Sequence, residues 1–441
     1  MKFFKFGTLL CLLAGLTQTH ASEWDILHAG KLLAVPGESV TESQSVVLKD
    51  GKVFSIEDGY IDGSALQIEE GDSLDVHNLK QQFVLPGFID GHVHLTLLFQ
   101  PNERVNWVNM SHADSAIRGA KYAKDTLMAG FTSVRDMGAF TGDAIYAIRD
   151  GINHGYIEGP RVFVSGHPIA INGGHGDITH SFNEPIAKAM RTSGVCDGVA
   201  ECRKAVREQV RQKADHIKLT ATAGVMSDSN AGLEQQFFDD ELQAIVQSAH
   251  LLGRKVAAHA HGSEGINAVL KAGANSIEHG TFLNDESIAL FKKNDAYLSP
   301  TMSAFLPLIT LVNSPNSYLT PAQHEKAESA VKFFDIYVRK AHEAGVKIAL
   351  STDAGVGKHG INGKEFSLLV KHGGMTPMEA IVAGTINGAD NLGRLDELGS
   401  LEEGKWGDIV AVDGNPLADI SILENVSFVM KEGVVHKQLA D

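Results

Sequence analysis

The chemistry in this chain starts at two histidines two positions apart, His92 and His94. They follow the apolar run Phe83-Val84-Leu85 and the punctuating pair Pro86-Gly87. Successive side chains on a strand point to opposite faces, so both imidazoles leave from one face. A single strand end can thus offer two nitrogens to one metal ion. A chain with 20 histidines forms such a pair by chance, so the remaining ligands must be found elsewhere.

They occur at the ends of further short apolar runs. Lys218 lies in Asp215-His216-Ile217-Lys218-Leu219-Thr220 and His259 in Val256-Ala257-Ala258-His259-Ala260-His261-Gly262. His279 ends Ser276-Ile277-Glu278-His279-Gly280, and Asp353 follows Ala349-Leu350-Ser351-Thr352. Singly, each has a structural use: a lysine paired with an acid, a satisfied core histidine, an Asx turn at Asp353. Independent structural causes do not put a metal-type group at the end of five separate strands.

The elements that must position these groups alternate strand with helix. Strands are expected at 83–94, 131–135, 161–165, 216–220, 256–260, 275–279, 297–301 and 347–352. Helices are expected between them, including 239–252 with Asp239 as N-cap, 265–272 and 322–344. Thr376-Pro377-Met378-Glu379 reads as a capping box with proline at the first helical position. Eight strands alternating with helices over about 300 residues make an α/β fold of the (β/α)8 TIM-barrel type, with catalytic groups at the strand C-termini. Both chain ends differ from this middle. They are turn-rich and alternating, with a hairpin across Asp50-Gly51, and are expected to form a small β-sandwich domain together. The expected division is 22–85 with 400–441 for that domain and 86–399 for the barrel.

The whole set resembles the amidohydrolase superfamily, and within it the imidazolonepropionase-like branch that includes prolidase-type dipeptidases acting on Xaa-Pro or related bonds. The carriers are Pro86-Gly87-Phe88-Ile89-Asp90-Gly91-His92-Val93-His94, Gly173-Gly174-His175-Gly176, Lys218-Leu219-Thr220-Ala221, and His259-Ala260-His261-Gly262. Glu278-His279-Gly280, Ser351-Thr352-Asp353-Ala354-Gly355 and the Gly404-Lys405-Trp406-Gly407-Asp408 return complete them, with Gly407 where alanine is the expected residue.

The resemblance implies two divalent metal ions. His92, His94 and Asp353 would hold one, His259 and His279 the other, and Lys218 would bridge them as a carbamate made with carbon dioxide. Imidazole and carboxylate donors suit zinc, with manganese, cobalt and iron as alternatives. The pair would share and acidify a water that attacks a carbonyl, with Asp353 as base and then acid. His175 and His261 are candidates for contacting substrate, and the 360–364 loop for lining the pocket. The implied reaction is hydrolysis of an amide C–N bond in a small dipeptide or N-acyl amino acid. A cyclic amidase, or a lactonase or esterase, would use the same site. A non-catalytic binding barrel is the alternative outside enzymology, and it would be expected to have lost ligands. Members of this family often assemble, which leaves both a homo-oligomer and a monomer open for this chain.

Composition sets the surroundings. The chain has 441 residues, 43% of them hydrophobic and 21% charged, enough for a large core. A net charge of −16 argues against a nucleic-acid surface. Residues 1–21 read as a signal peptide: Lys2 and Lys5, an apolar stretch, then Thr19-His20-Ala21. The stretch is too short to span a bilayer. The mature protein is therefore expected to be exported, periplasmic or secreted, after cleavage near Ala21, with no remaining membrane span. That compartment permits a disulfide between Cys196 and Cys202, whose alternative is two free thiols.

Overall fold

The computed structural model describes residues 21–101, 103–139, 141–180, 182–227 and 232–439. The expected signal peptide lies outside these residues, apart from Ala21.

Among the described residues there are fifteen strands: β1 (Glu23–Leu32), β2 (Thr41–Lys49), β3 (Lys52–Asp58), β4 (Ser73–Pro86), β5 (Phe88–Val93), β6 (Phe131–Asp136), β7 (Arg161–Val164), β8 (Ile217–Thr220), β9 (Val256–Ala260), β10 (Ser276–His279), β11 (Tyr297–Ser299), β12 (Lys347–Ile348), β13 (Ile409–Val412), β14 (Phe428–Lys431) and β15 (Val434–Gln438). The middle eight pair in parallel, as a three-stranded sheet β5-β6-β7 and a five-stranded sheet β12-β11-β10-β9-β8. Parallel bridges Ile169–Leu219 and Val93–Ala354 join the two sheets, one at each edge. Helices lie between consecutive strands, among them His112–Met128, Ala144–Asn153, Gly198–Arg211, Asp239–Leu251, Ser263–Ala272, Asp285–Asn294 and Tyr337–Glu343. This is the α/β alternation expected from the sequence.

Both chain ends enter one seven-stranded mixed sheet, in the order β15-β14-β13-β4-β1-β2-β3, rather than two separately paired sheets. The strand alternation explains how it is buried. Ile409 and Ala411 on β13, with Val84 on β4, face a core of the sheet's own. Val410, Val412, Phe83 and Leu85 point the other way, into the large core shared with the parallel strands. The hairpin from β2 to β3 turns at Asp50 (φ 51°) and Gly51 (φ 73°), the double left-handed turn that the Asp-Gly pair favours.

Three further expectations change. The single strand at 83–94 is two strands, because the chain passes from the end sheet to the parallel strands at Gly87. There the backbone N–H donates to Asp408 O at 2.7 Å, and a Cβ would stand 2.3 Å from Thr132 Oγ1. The single helix at 322–344 is two, Pro321–Val331 and Tyr337–Glu343. Phe238, not Asp239, caps helix Asp239–Leu251, and its N–H donates to the Glu241 carboxylate at 2.8 Å. The Thr376 capping box is as expected.

Candidate metal-dependent active site

All eight histidine, lysine and aspartate candidates line one cavity of about 160 Å³: His92, His94, His175, Lys218, His259, His261, His279 and Asp353. They stand at the C-terminal ends of the parallel strands or in the loops that follow. The cavity's other walls are largely apolar and include Phe99, Trp107, Met137, Ile178, Val225, Met226, Phe305 and Leu308. The loop at 360–364 is not part of it. Val356 reaches the cavity instead, and Asn362 turns inward to bond Asp90.

Three atoms converge at one point. Asp353 Oδ1 lies 3.4 Å from His92 Nε2 and 3.4 Å from His94 Nε2, and those two nitrogens are themselves 3.4 Å apart. Asp353 Oδ1 is buried and has no hydrogen-bond partner. A buried carboxylate oxygen is normally satisfied, so one left bare between two imidazoles fits a cation. Ligand atoms of His92, His279 and Asp353 fall within 4.8 Å of one another, and so do those of His259, His261 and His279. The donor set therefore fits metal ions, and it places His261 closer to the ligands than the sequence alone suggested.

Each ring is held by its far nitrogen, which fixes the tautomer and aims the other nitrogen inward. His92 Nδ1 donates to Glu278 Oε2 at 2.9 Å, and His94 Nδ1 donates to Gly138 O at 2.9 Å. Thr301 Oγ1 donates to Pro300 O, so it accepts from His279 Nδ1 at 2.7 Å. His259 is reversed: its Nε2 faces Ala223 O at 3.3 Å, which leaves Nδ1 for the cavity. His261 Nδ1 bonds Thr281 Oγ1 at 2.8 Å, and His175 Nδ1 bonds Ser227 Oγ at 2.6 Å.

Burial sets the charges. It holds His92, His175, His259 and His279 well below the usual imidazole range, and pushes His94 and His261 down to about 3. All six rings are thus neutral at pH 7, as ligands must be. Burial also lowers the Lys218 ammonium to about 8 and raises Asp353 to about 7 against the pull of Lys218.

Two of these groups sit on unusual backbone. His279 (φ 72°) and Asp353 (φ 57°) are left-handed, a conformation rare outside glycine and concentrated at functional sites. His279 is the last residue of β10, and Asp353 lies five residues after β12.

Several supporting residues were not singled out from the sequence. Glu278 accepts from Arg135 Nη2 at 3.1 Å and from Ser276 Oγ at 2.6 Å while it holds His92. Asp90 accepts from the backbone N–H groups of His92 and Thr352. Both acids stand inside motifs that carry ligands, in otherwise apolar strands, and that was the available signal. The sulfurs of Cys196 and Cys202 are bonded, with Cα atoms 5.0 Å apart.

Comparison with known proteins agrees. The amidohydrolase family model matches residues 83–436. The ochratoxinase of Aspergillus niger is 31% identical, over 96% of this chain and 88% of its own. A solved Xaa-Pro dipeptidase with methionine bound in its active site superposes with TM-score 0.86 at 37% identity, covering 94% of this chain and all (100%) of that one. A prolidase complexed with N-methylphosphonate-L-proline superposes with TM-score 0.83 at 27% identity, covering 94% and 100%. The chain belongs to the amidohydrolase family and is a hydrolase acting on carbon–nitrogen bonds.

Proposed function

We propose that this protein is a binuclear metal-dependent amidohydrolase that cleaves an amide C–N bond in a small dipeptide or N-acyl amino acid. The observation that carries the metal centre is the bare Asp353 Oδ1 between His92 Nε2 and His94 Nε2. The kinship with a dipeptidase, a prolidase and an ochratoxinase supports the amide bond and a small substrate. The linked parallel sheets support closure as a (β/α)8 barrel over 86–399, with 22–85 and 400–441 as the accessory domain.

In this reading His92, His94 and Asp353 would hold one ion and His259 and His279 the other, with Lys218, as a carbamate, a ligand to both. Two divalent ions, zinc foremost, supply an acidified water and a polarised scissile carbonyl when bound. The buried amine of Lys218 loses its proton readily, and the neutral amine is the form that adds carbon dioxide. Asp353 takes the proton of the attacking water and returns it to the leaving nitrogen. His175 and His261, neutral and aimed into the cavity, contact the substrate carboxylate or the carbonyl oxygen. The apolar walls exclude water and receive the substrate side chain. The chain is exported after cleavage near Ala21.

Metal analysis after incubation with zinc and bicarbonate tests the centre. Two equivalents per chain are expected, and Lys218→Ala should lose metal and activity together. Well under two equivalents would overturn the binuclear site. A panel of dipeptides and N-acyl amino acids tests the reaction. Hydrolysis of lactones without any amide would replace it with the lactonase reading.

A further inference from the structure

Helix Pro321–Val331 belongs to the connection between β11 and β12, yet it holds the loop that follows β8. Lys326 is buried and donates from Nζ to Gly224 O at 3.0 Å and to Ser227 O at 2.6 Å. Gln323, one turn earlier on the same face, donates from Nε2 to Met226 O at 2.8 Å. Three carbonyls of one short loop are thus bonded to one helix.

That loop meets His175. Ser227 Oγ lies 2.6 Å from His175 Nδ1 and accepts from the Gly224 N–H at 3.3 Å. A Cβ on Gly224 would stand 2.2 Å from the His175 ring, so the imidazole packs directly on loop backbone. Its other neighbour is the His259 ring, with centroids 4.2 Å apart. The ring is clamped between the loop and a proposed ligand, and its direction depends on where the loop stands.

We propose that Lys326 is a positioning residue for His175, acting through the 224–227 loop and Ser227. A charged donor with two carbonyl acceptors makes strong, directional bonds. Its loss leaves both carbonyls unsatisfied in a buried place, and the loop must move to recover partners. The inference rests on the reading of His175 as a substrate-contacting group.

The test uses the full-length, zinc-loaded protein and a double-mutant cycle. Lys326→Met keeps the stem and removes the donors, and Gln323→Leu is a milder second variant should the first fail to fold. In histidine-labelled protein, the His175 ring signals, identified by their absence in His175→Ala, should shift or broaden in both variants, with zinc content unchanged. Unmoved signals would overturn the proposal. With methionyl-proline or N-acetylmethionine, whichever turns over, Lys326→Met should lower kcat/KM about tenfold. It should cause no further loss in a His175→Ala background. Losses that multiply in the double variant would sink the positioning role alone. A His175→Ala variant with unchanged kinetics would sink the reading of His175, and the proposal with it.

Discussion

Asp90 Oδ2 accepts from Thr352 Oγ1 at 2.6 Å, which bonds the first parallel strand to the segment that carries Asp353. The same carboxylate accepts from Asn362 Nδ2 at 2.7 Å, His92 N at 3.0 Å and Thr352 N at 3.1 Å. Asp90 therefore sets the spacing of two proposed ligands at once. Asp90→Ala leaves these donors buried without a partner and should cost at least about 3 kcal/mol. Urea unfolding reads the loss, and zinc affinity should fall with it. A loss under about 1 kcal/mol would show that the donors find other acceptors.

Gly87 lies where the chain leaves one sheet for the other, with Thr132 against its Cα. Gly87→Ala should destabilise by about 1–3 kcal/mol through overpacking. Zinc content should stay the same, since no proposed ligand packs on Gly87. A neutral substitution would mean that Thr132 yields at little cost.

Glu365 accepts from the N–H groups of Met302 and Ser303, each at 2.7 Å, and so shapes the turn after Thr301, the partner of His279. Burial pushes its carboxyl from 4.5 up to about 8. The folded chain therefore keeps a proton that the unfolded chain has lost between these values. Stability should fall as pH rises from about 4.5 to 8, by up to about 1.4 kcal/mol per pH unit from this group, and level above it. Glu365→Gln should flatten that share of the slope in urea titrations run across the window. Parallel profiles for the two proteins would refute it.

The disulfide braces the loop of His175. Cys196 N donates to Ala170 O at 2.9 Å, and Ala170 forms a bridge with Val195. Reduction, or Cys196→Ser with Cys202→Ser, should cost about 2 kcal/mol from the freed short loop. Amide exchange at 170–177 should quicken before the rest of the fold. Exchange that quickens uniformly would separate the bridge from that loop.

The ligands were legible because a strand shows its chemistry locally. The two-residue period at His92 and His94, and single polar groups ending apolar runs, survive in the text of the sequence. The supports were harder to see. Lys326 and Gln323 look like ordinary helix-surface residues, and only tertiary packing turns them toward the loop. Pro86-Gly87 marked the domain boundary, but the apolar residues on both sides of it read as one strand. The last parallel strand pairs with β11 over only two residues, Lys347 and Ile348; beyond them Leu350 donates to Ala383 and Asp353 to His92 on β5. The matching texture of the two ends showed that they belong together, but their pairing as one sheet depends on contacts across the chain that no local pattern encodes.

That shared sheet makes the pairing of one early strand depend on residues more than 300 positions later. β4 pairs with β13, Phe83 beside Val412 and Pro86 beside Ile409. Without β13 in place, that edge of β4 would be unpaired and apolar. A product cut short before residue 409 keeps that edge open and presents a sticky strand to other chains.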